Sequence, residues 1–404
     1  MSTNKKQILQ PKSKIILDQL GQYYATVNCE KNSGTFSITA HLKEKINTNA
    51  LQQAVNEIVK RLPHLNVKLE SDFFWYYHEV LESPLKIIPE TKFLAPAKYF
   101  KKDEPLTRVT YSENHFTMEV LHTVCDGRSL SKIIVSLLTE YFEILGCEVR
   151  NKNGIIDCKA LMKSEEVENA YQRYADFSKS KQEKETDVYN PKHEVAEPKT
   201  IIQPFDLDML KTKARNHGVT ITEYILAHIV TEFSVLRDKD GCKKTITANI
   251  PIDCRSFFKS ESLRNFVSNK IISMPENSSF TEVAHGIRKQ LSEVNADYIQ
   301  AKISEMEKLI RLGKYIPLFI KKWLIKKIGK AESIGNSTGL SNLGLIKLPE
   351  EISKRIEMFS FSLGAEPNMP YQFGCVATGN ILTLTATTSA KDNEVVEDIF
   401  SALK

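Results

Sequence analysis

Residues 116–141 constrain the fold more than any other stretch, because two incompatible periodicities meet there at one histidine and one glycine. Phe116, Met118 and Val120 alternate with Thr117, Glu119 and Leu121, the two-residue period of a strand, and put His122 on the apolar face. From Leu130 onward, Ile133, Ile134, Leu137, Leu138 and Tyr141 recur at helical spacing. The pattern predicts a strand that ends at His122 and a helix that opens after Asp126-Gly127. An imidazole presented from a mostly apolar face is partly desolvated, which keeps it neutral near neutral pH and able to accept a proton. A carboxylate in such a turn suits fixing backbone and nearby cations better than relaying protons. On these residues alone two readings stand level: a core histidine with an Asp-Gly turn behind it, or a general base.

His122-Thr123-Val124-Cys125-Asp126-Gly127 resembles the H-x-x-x-D-G signature of the chloramphenicol-acetyltransferase-like superfamily, which includes alcohol acetyltransferases, plant acyltransferases and the condensation domains of peptide synthetases. A second histidine often precedes the catalytic one; here that position is Leu121. Other stretches resemble the superfamily in the expected order. Ala50 to Lys68, with Leu62-Pro63-His64-Leu65, is similar to its early helix and turn. Asn249-Ile250-Pro251-Ile252-Asp253-Cys254-Arg255 is similar to its strand-to-arginine segment. Leu340-Ser341-Asn342-Leu343-Gly344 resembles the late S-N-x-G stretch of the alcohol acetyltransferase branch.

The resemblance implies an α/β (mixed α+β) fold: a two-lobed sandwich, each lobe a mixed sheet covered by helices, with an active-site tunnel between the lobes. It assigns catalysis to His122 with Asp126, and support of the site to Gly127, which would permit the tight turn, and Arg255. An arginine from the C-terminal half pairs with the motif aspartate in that superfamily, so a bidentate Arg255–Asp126 pair is expected; from spacing alone Arg255 is a loop arginine beyond a strand. Ser341 or Asn342 is the candidate for holding an oxyanion, although an ordinary loop uses the same residue types. The implied activity is acyl transfer from an acyl thioester, acyl-CoA first, to an alcohol or amine, with no bound cofactor and no metal. Two alternatives stay open: a free-standing condensation-type enzyme that takes its acyl group from a carrier protein's phosphopantetheine arm, and a non-catalytic scaffold of the same fold.

The rest of the chain is consistent with a large globular protein. Its 404 residues suit one large or two smaller domains, and its net charge of +5 is a small imbalance between 55 basic and 50 acidic residues, which argues weakly for anionic small molecules and against nucleic acid. The 7 cysteines lack C-x-x-C spacing and read as reduced thiols. The polar start, Met1 to Lys14, has no apolar signal core, and no apolar run reaches spanning length, so a cytoplasmic location is expected. The apolar pattern lapses from Lys163 to Thr200, where charges, Pro191 and Pro198 accumulate; this divides the chain into lobes at 1–175 and 201–404 with a charged crossover at 176–200. A monomer with a pseudo-two-fold pair of lobes is expected.

Thr220 to Glu223 has capping-box spacing ahead of an apolar stripe, and Gly379-Asn380 reads as a hairpin turn between two strands. In 318–330, Phe319, Ile320, Trp323, Leu324 and Ile328 share one helical face and lysines crowd the other. The segment suits an outer helix packed on the core by its apolar face, a roof over an acyl tunnel, or a peripheral membrane contact.

Overall fold

In the computed structural model, residues 9–29, 32–91, 99–101, 103–179, 187–274, 278–324, 336–364, 366 and 369–404 are described. The first half runs β1 (Lys14–Ile16), α1 (Gln19–Val27), β2 (Thr35–Leu42), α2 (Thr48–Arg61), β3 (Val67–Ser71), β4 (Tyr76–Val80), β5 (Ile87–Pro89), β6 (Thr107–Tyr111), β7 (His115–Leu121), α3 (Gly127–Ile144) and the short α4 (Ala170–Tyr174). The second runs β8 (Val195–Asp206), α5 (Leu207–Asn216), α6 (Ile221–Lys239), β9 (Ile246–Asp253), β10 (Val267–Met274), α7 (Phe280–Ser292), α8 (Ala296–Leu312), β11 (Thr338–Leu345), β12 (Ile356–Leu363), β13 (Tyr371–Thr378), β14 (Ile381–Ala390) and a closing helix, Glu394–Leu403.

Local signals set most of these limits. The Asn47 side chain caps α2, and Pro63 follows its end. Thr220 and Glu223 form the capping box of α6. The strands assemble into three sheets, with orders β1-β4-β3, β12-β2-β7-β6-β5 and β10-β9-β11-β13-β14-β8. Both larger sheets are mixed: β5 runs parallel to β6, and β11 runs parallel to both of its neighbours. In the N-terminal lobe, α2 and α3 bury Leu51, Val55, Leu137 and Leu138 with Ile38, Phe116 and Met118 of the five-stranded sheet. In the C-terminal lobe, Ile225 and Phe233 of α6 and Ile399 of the closing helix pack with Phe373 and Leu384 of the six-stranded sheet.

Three features differ from expectation. Residues 195–206, partly assigned to a charged crossover, form the 12-residue strand β8. Pro198 belongs to the expected crossover and Pro204 also lies in β8, but β8 is a sheet edge, where a missing amide leaves no neighbour unpaired. The lobes also do not divide at a single point in the chain: β12, deep in the second half, pairs antiparallel with β2 and sinks Phe359 and Phe361 into the N-terminal core.

The lobes are joined where β12 leads into β13. The Thr385 hydroxyl bridges the carbonyls of Phe361 on β12 and Gly374 on β13. A Cβ at Gly374 would stand 2.5 Å from the Phe361 carbonyl oxygen, so only glycine permits this approach of two backbones. Residues 318–324 are helical, but with Lys321 buried and Phe319 and Trp323 exposed, the reverse of the polarity expected for a helix packed by its apolar face. Residues 325–330 of that expectation lie outside the described residues. Among the described residues no single helix is long and apolar enough to cross a membrane.

Gly374→Ala is expected to destabilise the protein by about 1–3 kcal/mol, the cost of forcing a methyl into a packed contact, measured as a lower midpoint in denaturant unfolding.

Candidate active site

The motif forms the junction that its two periodicities require. β7 ends at Leu121, and the His122 amide still donates to the Gly34 carbonyl at 2.9 Å, holding the turn against the end of β2. Thr123 is tied to β4 through His78 Nε2 at 2.9 Å. Asp126 is the N-cap of α3: its Oδ1 accepts the Ser129 amide at 2.8 Å. Leu121 is fully buried in the N-terminal core. Because successive residues face opposite ways, the leucine in place of a second histidine takes nothing from the surroundings of His122.

The His122 ring lies against two aromatic rings. Tyr24 of α1 stacks on it at 4.5 Å with the planes 3° apart, and Phe36 of β2 leans on it at 4.8 Å. Nδ1 is 3.1 Å from Asn265 Oδ1. The carboxamide orientation follows from its other contacts: Asn265 Nδ2 donates to the His122 carbonyl at 2.9 Å and lies 3.3 and 3.4 Å from the two Asp18 carboxylate oxygens. Oδ1 is therefore the acceptor, Nδ1 of the neutral imidazole carries the proton, and Nε2 keeps the lone pair. Burial pushes the His122 pKa below its ordinary 6.5; the charge of Asp126, its own backbone carbonyl, Asn265 and Asp18 pull the other way without restoring it.

Asp126 makes no hydrogen bond to His122 among the described residues; it fixes backbone and a cation instead. Its Oδ2 accepts the Phe266 amide and Arg255 Nη1, both at 2.8 Å. Burial alone would raise the Asp126 pKa, but the Arg255 guanidinium and the two amides hold it below the usual value. The ion pair is single-pronged rather than bidentate, since the helix cap occupies Oδ1 and Arg255 Nη2 is used elsewhere. That nitrogen donates to the Ser262 and Arg264 carbonyls at 2.8 Å and to Ser129 Oγ at 3.1 Å. Arg255 thus staples the loop between β9 and β10 to the start of α3, and that loop carries Asn265.

Gly127 is the first residue of α3 and has no positive φ. The turn does not require glycine for its backbone; a Cβ there would come within 2.6 Å of Leu343 Cδ2, a contact that the far end of that side chain would have to yield. The crossing places Leu343 of β11 beside the motif. The pairing of β11 with β13 is irregular between Asn342 and Leu345, so strict alternation does not run from Leu343 back to Ser341. Asn342 Nδ2 donates to Thr222 Oγ1 at 2.8 Å and its Oδ1 accepts the Gly344 amide at 2.7 Å. Of the two oxyanion candidates, Asn342 is committed to these contacts.

Sequence reasoning missed Asn265, Asp18 and Tyr24. Asp18 has a legible local role, since it caps α1 through the Gly21 amide at 2.7 Å. Its contact with Arg264 at 3.4 Å, 246 residues away, has no sequence signal.

A family model described as alcohol acetyltransferase matches residues 156–398, more than half of the chain. The chain belongs to that family. The match includes Arg255, Asn265 and Ser341 and begins after the motif helix. No curated protein sequence matches. Among solved structures, polyketide synthase associated protein 5 from Mycobacterium tuberculosis is similar with a TM-score of 0.63 and 14% identity over 98% of both chains. The first condensation domain of the CDA synthetase is similar with a TM-score of 0.64 and 12% identity over 98% of this chain and 96% of that one. The epimerization domain from the third module of tyrocidine synthetase B gives 0.61 and 11% over 100% and 96%. These likenesses show the shared fold; membership of the alcohol acetyltransferase family makes acyl transfer the class of function.

Two measurements test the geometry of this family member without an activity assay. Nitrogen NMR of the imidazole is expected to show the Nδ1–H tautomer and a midpoint below 6.5, moved upward by Asn265→Asp, because a carboxylate favours the imidazolium. Since the folded value is the lower one, the stability that the neutral ring contributes is intact above the ordinary pKa and is lost as pH falls below it. Arg255→Ala is expected to cost about 3–5 kcal/mol in unfolding free energy, as it leaves the Asp126 carboxylate buried without its cation.

Proposed function

We propose that the protein transfers an acyl group directly from an acyl thioester, acyl-CoA first, to an alcohol or amine, with His122 as general base. The observation that carries this reading is the Asn265-set tautomer, which leaves Nε2 of a desolvated, neutral imidazole as a proton acceptor. Nε2 takes the acceptor's proton as its oxygen or nitrogen attacks the thioester carbonyl carbon. The tetrahedral oxyanion would be met by the Ser341 hydroxyl from β11. Collapse breaks the carbon–sulfur bond, and the imidazolium returns the proton to the departing thiolate. Burial disfavours the imidazolium, which favours that return, and because the acceptor attacks the thioester directly no covalent acyl-enzyme is needed. Asp126 and Arg255 are positioning residues in this scheme: they hold the turn and the Asn265 loop but do not touch the reacting atoms.

The lobes would admit donor and acceptor from opposite faces of a tunnel. A carrier protein's phosphopantetheine thioester is the alternative donor, supported by the likeness to a condensation domain across nearly the whole chain and by the net positive charge.

Thiol release from acyl-CoAs of graded chain length, with mixed alcohols and amines, tests the proposal. Acceptor-dependent release is expected, lowered by about 100- to 10,000-fold in His122→Ala and by about 100-fold in Ser341→Ala. Equal release by wild type and His122→Ala would remove the base from the mechanism. Release from acylated carrier protein but from no acyl-CoA would transfer the donor role to the carrier, and release from neither would leave a scaffold.

A further inference from the structure

The tip of the β3–β4 hairpin meets the helical residues 318–324 in an arrangement that turns their polarity outward. The Leu318 amide donates to the Phe73 carbonyl at 2.9 Å, and Lys321 Nζ donates to the Phe74 carbonyl at 2.8 Å while lying over the Trp75 ring. Lys322 Nζ is 4.9 Å from the centre of the Tyr76 ring. Lys321 is accordingly only 6% exposed. The apolar side chains take the solvent side: Phe319 is 68% exposed, Trp323 57%, Tyr315 79%, Phe73 65% and Leu312 68%. A helix serving only to cover a core has the opposite polarity, and several large apolar side chains left exposed around one hairpin contact mark an interaction site.

Charge narrows the occupant. Between residues 308 and 322 the chain carries Lys308, Arg311, Lys314, Lys321 and Lys322 and no carboxylate. The nearby acid at the hairpin tip, Asp72, turns its Oδ1 to the Phe74 and Trp75 amides at 2.8 and 2.7 Å. Lys314 is exposed beside Tyr315. An identical cationic copy would be repelled from this face, whereas an anionic sheet of headgroups complements it.

We propose that this face docks on an anionic lipid surface, with Phe73, Tyr315, Phe319 and Trp323 at the boundary of headgroups and acyl chains and the exposed Lys308 and Lys314 toward the phosphates. The docked face is one helix away from the base. Leu318 and Tyr76 pack with Leu17 and Ala25 around α1, Gln22 of α1 donates to the Tyr76 carbonyl at 2.8 Å, and the same helix stacks Tyr24 on His122.

The chain's 2 tryptophans, Trp75 and Trp323, both belong to this region, so intrinsic emission reports docking directly. Full-length protein is mixed with vesicles of phosphatidylcholine and phosphatidylglycerol, and separately with vesicles of phosphatidylcholine alone. A blue shift and co-sedimentation with the anionic vesicles are expected, weakened by added salt. Combining Phe73→Ser with Phe319→Ser, both at exposed positions, should lower vesicle affinity by about tenfold or more with the melting temperature and turnover of a water-soluble acceptor unchanged. Absence of binding to either vesicle, or equal binding to both without salt dependence, would overturn the proposal. So would a concentration-dependent dimer that forms without lipid, disappears in the double variant and leaves wild-type vesicle binding undetected, since a second copy would then be the occupant.

Discussion

The Asp126 carboxylate is the constraint on which the site depends. It is buried at the first turn of α3 and accepts from three donors: the Ser129 amide, the Phe266 amide and Arg255 Nη1. A buried carboxylate lacking such partners costs several kcal/mol, and two of these three come from the other half of the chain. Folding of the N-terminal turn therefore requires the loop between β9 and β10 to dock on it. Once docked, that loop places Asn265 on the imidazole, so the tautomer of His122 follows from satisfying a different residue's charge.

Interdigitation of the lobes explains how this docking is held. β12 crosses into the N-terminal sheet, Gly374 lets two backbones meet, and Leu343 of β11 fills the space above Gly127. The rings of Tyr24 and Phe36 flank the half-buried His122. Burial that lowers the histidine's pKa and contacts that orient it thus have one origin. An exposed histidine on the same strand would keep its ordinary pKa and a free choice of tautomer.

Polarity was the feature least accessible to pattern reading at residues 318–324. Spacing separates Phe319 and Trp323 from the lysines on two faces, but a helical wheel has no inside or outside. The decision came from the β3–β4 hairpin, whose free carbonyl at Phe74 and ring at Trp75 accept Lys321. A buried ammonium with a carbonyl and an aromatic face is tolerable, and it drives the apolar side outward.

Periodicity and capping determined the local elements. The strand into His122, the helix after Gly127, the capping box at Thr220 and the hairpin at Gly379-Asn380 all rest on interactions between residues a few positions apart, and such interactions are written in sequence spacing. Resemblance to a family supplied the pairing of Arg255 with Asp126, which spacing does not contain. Only the tertiary structure decided that β8 is an edge strand despite two prolines, that β12 belongs to the opposite lobe, and that Asn265 and Asp18 stand behind His122. Those contacts join residues 143 and 247 positions apart. Their partners are chosen by which buried donors and acceptors must be satisfied when the lobes close, a condition that does not exist until the chain has folded.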